Sequence, residues 1–195
     1  MPTVGSFLFR YRGYLPIPFV LLVLFLSRPS SLTTLLGTPL ALVGELLRLW
    51  AVAYSGPSTR SRSIQAETLT TAGPYAHLRH PIYLGNLIIS LGFLICFNSW
   101  MPYMLIPLLF LFSFSYGVIV KAEEEYLREK FGVKYLSYAK DVPAFLPKIR
   151  PYTNKYAKPP DLRGALRSER ETFQAIAGAY LLLISRWAVR SSLGV

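Results

Sequence analysis

The stretch Gly73-Pro74-Tyr75-Ala76-His77-Leu78-Arg79-His80-Pro81-Ile82-Tyr83-Leu84-Gly85 holds both histidines of the chain, an arginine, two tyrosines and two glycines, and it runs directly into an apolar segment at 82–97. Polar groups at the mouth of a membrane segment are costly to keep, so such a run marks a functional site. Pro81 suits the first turn of a helix and biases His80 towards extended backbone. Arg79 and His80 then stand at a helix N-terminus, where unpaired N–H groups attract carboxylate or phosphate. Gly73 and Gly85 permit close backbone approach by a ligand, and Tyr75 and Tyr83 offer rings and hydroxyls. The same residue types also suit an interfacial anchor, because Arg, His and Tyr are common at membrane surfaces.

Outward from this run the chain is strongly apolar. Of its 195 residues 52% are hydrophobic and 14% aromatic, and the mean hydropathy is +0.37. The apolar residues are clustered, which points to an integral membrane protein. Runs are expected at about 14–26, 32–55, 82–97 and 103–120, with a tight turn at Asn98–Pro102 and a kink at Pro107 in mid-run. The first and third are short for a hydrocarbon core of about 30 Å, which needs about 20 helical residues. The first could pass for a signal peptide, but Ser27-Arg28-Pro29 is a poor cleavage site, so it reads as a membrane helix. A further apolar segment at 172–189 contains Arg186 and ends at Arg190; it is either a fifth span or an interfacial helix. The fold class is therefore all-α, a polytopic bundle of four to five transmembrane helices. One membrane domain is expected: 1–69 as hairpin and loop, 70–147 as core, 148–195 as basic linker and apolar helix.

Net charge is +11, with 21 Lys and Arg against 10 Asp and Glu. The apolar content argues against nucleic acid; cytoplasmic loops and anionic lipid head groups account for the excess. Arg10 and Arg12 precede the first run, Arg60, Arg62 and Arg79 lie between the second and third, and twelve Lys or Arg lie between 121 and 170. The loops of the other side hold only Arg28. Four spans then put the 73–85 run and the region after Lys121 together on the cytoplasmic side.

That second region opens with Glu123-Glu124-Glu125. On a helix these carboxylates point about 100° apart. One or two could turn towards 73–85 and meet Arg79 or a cationic ligand, or all three could be a solvated helix start among lysines. Phe131-Gly132 reads as a helix end. Glu45 and Arg48 lie on one helix face, as an intramembrane ion pair or as the lining of a polar cavity. His77-x-x-His80 lacks a third ligand at suitable spacing, so no metal site is expected. There is no phosphate-binding loop and no dinucleotide fingerprint. Cys96 reads as a packed thiol.

Two ordered motifs carry a resemblance. Gly73-Pro74-Tyr75 with Arg79-His80-Pro81-Ile82-Tyr83-Leu84-Gly85 resembles the first signature of the isoprenylcysteine carboxyl methyltransferase and phospholipid methyltransferase superfamily. Glu123-Glu124-x-x-Leu127, Phe131-Gly132, Tyr135, Tyr138 and Val142-Pro143 resemble its second. The resemblance covers about 70–147. It implies a membrane methyltransferase with S-adenosyl-L-methionine as cofactor, held in a cytoplasmic pocket formed by the C-terminal helical segment. The resemblance further implies a lipophilic acceptor, an isoprenylcysteine-type carboxylate or a lipid amine, that enters from the bilayer. Carried over, Gly73, Pro74, Tyr75, His80, Pro81, Tyr83, Gly85, Glu123 and Glu124 line the cofactor site, and Arg79, His80 and Glu124 are the catalytic candidates. Carboxylates suit the cofactor's ammonium and ribose, Arg79 and His80 its carboxylate, and tyrosine rings its sulfonium. Asn86, after the signature glycine, stands where relatives vary. Membrane sterol and steroid reductases that use NADPH carry a similar motif but with an acidic residue after the glycine. A non-enzymatic lipid-binding scaffold would leave the two clustered motifs unexplained.

Overall fold

The computed structural model describes residues 11, 14–56, 66–153 and 159–193. Among them are seven α-helices and no strand: α1 Ile17–Phe25, α2 Ser31–Ser55, α3 Pro81–Phe97, α4 Leu105–Phe131, α5 Val133–Asp141, α6 Leu162–Ser168 and α7 Arg170–Leu193, with a 3₁₀ turn at Gly73–Ala76. The all-α expectation therefore holds among the described residues. Arg10, Arg12, Arg60 and Arg62, on which part of the charge argument rests, lie outside them.

The α2–α3 pair is the centre of the bundle. α2 starts in a capping box: the Thr33 amide donates to Ser30 Oγ (3.2 Å) and the Ser30 amide to Thr33 Oγ1 (3.0 Å). Its glycines face those of α3. A Cβ on Gly44 would lie 2.8 Å from the Gly85 carbonyl, and one on Gly92 would lie 2.8 Å from the Gly37 carbonyl. Small residues let two backbones approach where lipid offers no hydrophobic drive between helices. α3 ends at Asn98 in the left-handed conformation (φ 46°), and the turn that follows is tied to α1 by Ser99 Oγ donating 2.6 Å to the Val23 carbonyl.

α4 begins at Leu105, so Pro107 lies in its first turn, where a missing N–H costs nothing; the expected mid-run kink is corrected. The helix then continues eleven residues past the apolar stretch to Phe131 and stops at Gly132 (φ 52°). α7 lies beside α2 and antiparallel to it. Contacts step along both helices, from Arg48 with Thr172 (3.3 Å) to Thr38 with Tyr180 (3.0 Å). Beyond α2, Arg186 donates to Ser27 Oγ (2.9 Å). α7 thus runs alongside α2 for much of the bundle, in the direction the spanning reading of 172–189 expects.

By length and composition three helices are able to cross a membrane: α2, α4 and the Arg170–Val189 part of α7. α3, with 17 residues, is about 26 Å long. Outward-facing Leu35, Leu42, Phe110, Phe114, Leu181 and Ile184 are exposed, an apolar surface that suits lipid. The N-terminus of α3, the C-termini of α2 and α4, and all of α5 and α6 gather at one end, here the signature end.

Candidate active site

At the signature end the 3₁₀ turn puts Gly73 at φ 60°, and a Cβ there would collide with the Tyr54 ring. Both facts require glycine. The turn and the residues after it are then laced to the strap that follows α5. The Arg79 amide donates to the Pro143 carbonyl (2.9 Å), His80 to Ala144 (3.2 Å), Lys148 to His77 (3.0 Å) and Tyr152 to Ala76 (2.9 Å). Tyr138 donates its hydroxyl to the Tyr75 carbonyl at 2.7 Å. Tyr135, Tyr138 and Val142 form a buried cluster under this lacing. The second motif thus builds the bed on which the first one lies.

His80 is the N-cap of α3, with Pro81 at the first helical position. α4, carried past the apolar stretch, brings Glu123 and Glu124 to it. Glu124 Oε1 accepts from Arg79 Nε (2.9 Å), Arg79 Nη2 (2.8 Å) and His80 Nε2 (3.0 Å). On the other face of the imidazole, His80 Nδ1 is 3.6 Å from Glu123 Oε2, which also accepts the Tyr83 hydroxyl at 3.0 Å. Arg79 Nη1 is spent on the Ala139 and Val142 carbonyls, each at 2.8 Å. Glu125 points away and is exposed. The result is a closed quartet of two cations and two carboxylates.

Each ring nitrogen of His80 faces a carboxylate, and both can donate only in the imidazolium form. Burial pushes this imidazole down, but hydrogen bonds to Glu123 and Glu124 and their charges outweigh it, so the pKa is raised from 6.5. Burial likewise pushes the Tyr75, Tyr135 and Tyr138 phenols well above their ordinary 10.0.

The signature therefore splits. Arg79, His80, Tyr83, Glu123 and Glu124 meet directly. Gly73 and Ala76 instead line a cavity of about 300 Å³ shared with Trp50, Thr71, Ala72, His77, Pro151 and Tyr152. Pro74 and Pro81 are buried in the backbone frame. Gly85 faces α2: a Cβ on it would lie 2.6 Å from Arg48 Cγ. Arg48, in turn, is more than half of an ion pair. It is 3.6 Å from Glu45 and 2.8 Å from Glu169, and it also donates to Asn86 Oδ1.

Several residues here went unread from sequence. Phe145 packs on His80 with ring centroids 5.8 Å apart, and Tyr116 on Tyr83 at 4.6 Å. Asn86 and Tyr116 were findable as polar groups within apolar runs. Glu169 sits in a charged stretch with no local pattern to single it out, yet it is 1% exposed.

Comparison with known proteins adds the family. Residues 32–134 match the model of the phospholipid methyltransferase family. A cobalt-zinc-cadmium resistance protein of Cupriavidus metallidurans is 34% identical over 118 residues, 60% of this chain and 49% of that protein. Protein-S-isoprenylcysteine O-methyltransferase B of Arabidopsis thaliana is 31% identical over 57% of each chain. The protein-S-isoprenylcysteine O-methyltransferase of Schizosaccharomyces pombe is 33% identical over 55% of this chain and 46% of its own. The match thus spans about half the length of these curated relatives. No solved structure matches. With a family model that covers more than half of the chain and three helices able to cross a membrane, the chain is a membrane protein of the phospholipid methyltransferase family.

Proposed function

We propose that this protein is an S-adenosyl-L-methionine-dependent methyltransferase acting on a lipophilic acceptor at the cytoplasmic face of a membrane. The observation that carries the reading is the quartet: residues 79–80 and 123–124, apart in sequence, close around one buried imidazole beside Tyr83. The cofactor supplies, when bound, an electrophilic methyl group on a cationic sulfonium.

The residues present fit it. Glu124 is fixed by three donors on one oxygen, whereas the Glu123 side chain is 29% exposed and is the carboxylate open to an ammonium. The cavity beside Gly73, walled by Trp50, His77 and Tyr152, suits a flat heterocycle. The packed rings of Tyr83 and Tyr116 beside Glu123 make the surroundings aromatic, which favours a nearby sulfonium. Displacement at a methyl group needs alignment and water exclusion, and a site held by the α5 strap on one side and the bundle on the other provides both. A carboxylate acceptor, of isoprenylcysteine type, needs no base; a lipid amine must lose a proton before it attacks. The cytoplasmic side is supported by the basic residues gathered at the signature end.

Calorimetry on the protein in lipid nanodiscs, followed by transfer of labelled methyl from the cofactor into lipid extracts, tests the reading. Binding of the cofactor and labelled lipid are expected. Binding of NADPH with none of the methyl donor would contradict it.

A further inference from the structure

Asn86 is one helical turn beyond Tyr83, inside the apolar length of α3, and its amide is held from both ends. Oδ1 accepts from Arg48 Nη1, and Nδ2 donates to the Tyr116 hydroxyl at 3.0 Å. Arg48 is itself fixed by Glu45, by Glu169 at 2.8 Å and by Thr172 at 3.3 Å. The missing side chain of Gly85 is what lets Arg48 lie against α3. On the other side, the Tyr116 ring packs on Phe112 at 4.2 Å and on Tyr83 at 4.6 Å, and the Tyr83 hydroxyl donates to Glu123. A continuous line of contacts thus runs from a charge inside the bundle to the carboxylate of the site. Polar groups at such depth are expensive and are kept where they serve a function.

We propose that Asn86 is a positioning residue: by holding the Tyr116 hydroxyl from the Arg48 side it sets the Tyr116 ring against Tyr83 and so fixes the Glu123 carboxylate beside His80. Its consequence for catalysis rests on the reading above, in which Glu123 meets the cofactor; its consequence for geometry does not. Asn86→Leu keeps the size and removes both hydrogen bonds. Asn86→Asp keeps the acceptor for Arg48 and replaces the second bond by its reverse, the Tyr116 hydroxyl now donating to the carboxylate. Tyr116→Phe keeps the ring and removes the partner.

Two measurements decide. The chain has only two histidines, so their imidazole signals in the nuclear magnetic resonance spectrum of the cofactor-free protein are separable. His80 is faced by Glu123 and Glu124 from α4, Arg79 from its own turn, Tyr83 from α3 and Phe145 from the strap. In Asn86→Leu and in Tyr116→Phe, which also serves if the leucine variant does not fold, the His80 titration is expected to move to lower pH. Asn86→Asp restores it. Cofactor affinity by calorimetry is expected to fall about fivefold or more in Asn86→Leu and to recover in Asn86→Asp. A lowered melting temperature with an unmoved His80 titration and unchanged affinity would overturn the proposal and leave Asn86 a packing residue. Wild-type protein that binds no methyl donor, with His80 still responding to Asn86→Leu, would instead overturn the methyltransferase reading and leave the positioning role standing.

Discussion

His80 is the pivot of the site, because a 5%-exposed imidazole between two carboxylates stabilises the fold only while it carries its charge. Its pKa is raised in the folded chain, so its contribution is fully present below the unfolded value of about 6.5 and is lost as pH rises through the folded value. The melting temperature in detergent is therefore expected to fall as pH is raised from neutrality, and His80→Gln to flatten that part of the profile. Arg79 makes a related prediction. Its guanidinium joins Glu124 to two carbonyls at the end of α5, a fork that a lysine does not reproduce. Arg79→Lys should cost about 2 kcal/mol, read from denaturation of the purified protein. The importance of these residues was legible in their types and spacing. Their partners were only partly so: a carboxylate of the 123–125 cluster meeting Arg79 was one of the readings offered, and Glu124 takes that place, whereas the Ala139 and Val142 carbonyls that take the rest of the guanidinium had no signature.

The helices follow hydropathy where lipid decides and depart from it where packing does. The runs expected at 32–55 and 82–97 begin within a residue of α2 and α3, because an apolar segment in lipid must be helical to satisfy its backbone. α4 outruns its apolar stretch because Lys121–Lys130 is rich in good helix formers, and that extension is what delivers Glu123 and Glu124. The glycine contacts of α2 and α3 were hidden, since spacing alone does not say which face meets which helix. They give a paired prediction. Gly85→Ala would force a Cβ to 2.6 Å from Arg48 Cγ and 2.9 Å from the Gly44 carbonyl, and should cost about 1–3 kcal/mol. Gly117→Ala on α4 meets nothing within 4 Å and should be neutral or stabilising by up to about 1 kcal/mol. Thermal denaturation of both variants in one detergent checks the contrast.

At the scale of the molecule the bundle has two unlike ends. One carries the quartet, the strap and most of the described basic residues; the other carries the α3–α4 turn and the Arg186–Ser27 contact. The one native cysteine, Cys96, is fully buried, so single reporters can be introduced against a silent background. Glu125→Cys and Trp100→Cys, both at exposed positions near opposite ends of α4, should react with an impermeant maleimide from opposite faces of the membrane, the former from the cytoplasm. Labelling of both from one face would refute this arrangement. Charge asymmetry in the sequence is the ground for this expected sidedness; the return of Glu169 to Arg48, across 121 residues, had no local signature to betray it. The central claim is that the quartet belongs to a methyl-transfer site, and transfer of labelled methyl from S-adenosyl-L-methionine into lipid by wild-type and Glu123→Gln protein in nanodiscs tests it most directly. Labelled lipid with the wild type and at least about a tenfold loss with the variant, folded by its melting temperature, is the predicted result; equal labelling by the two proteins, or none by the wild type, would contradict it.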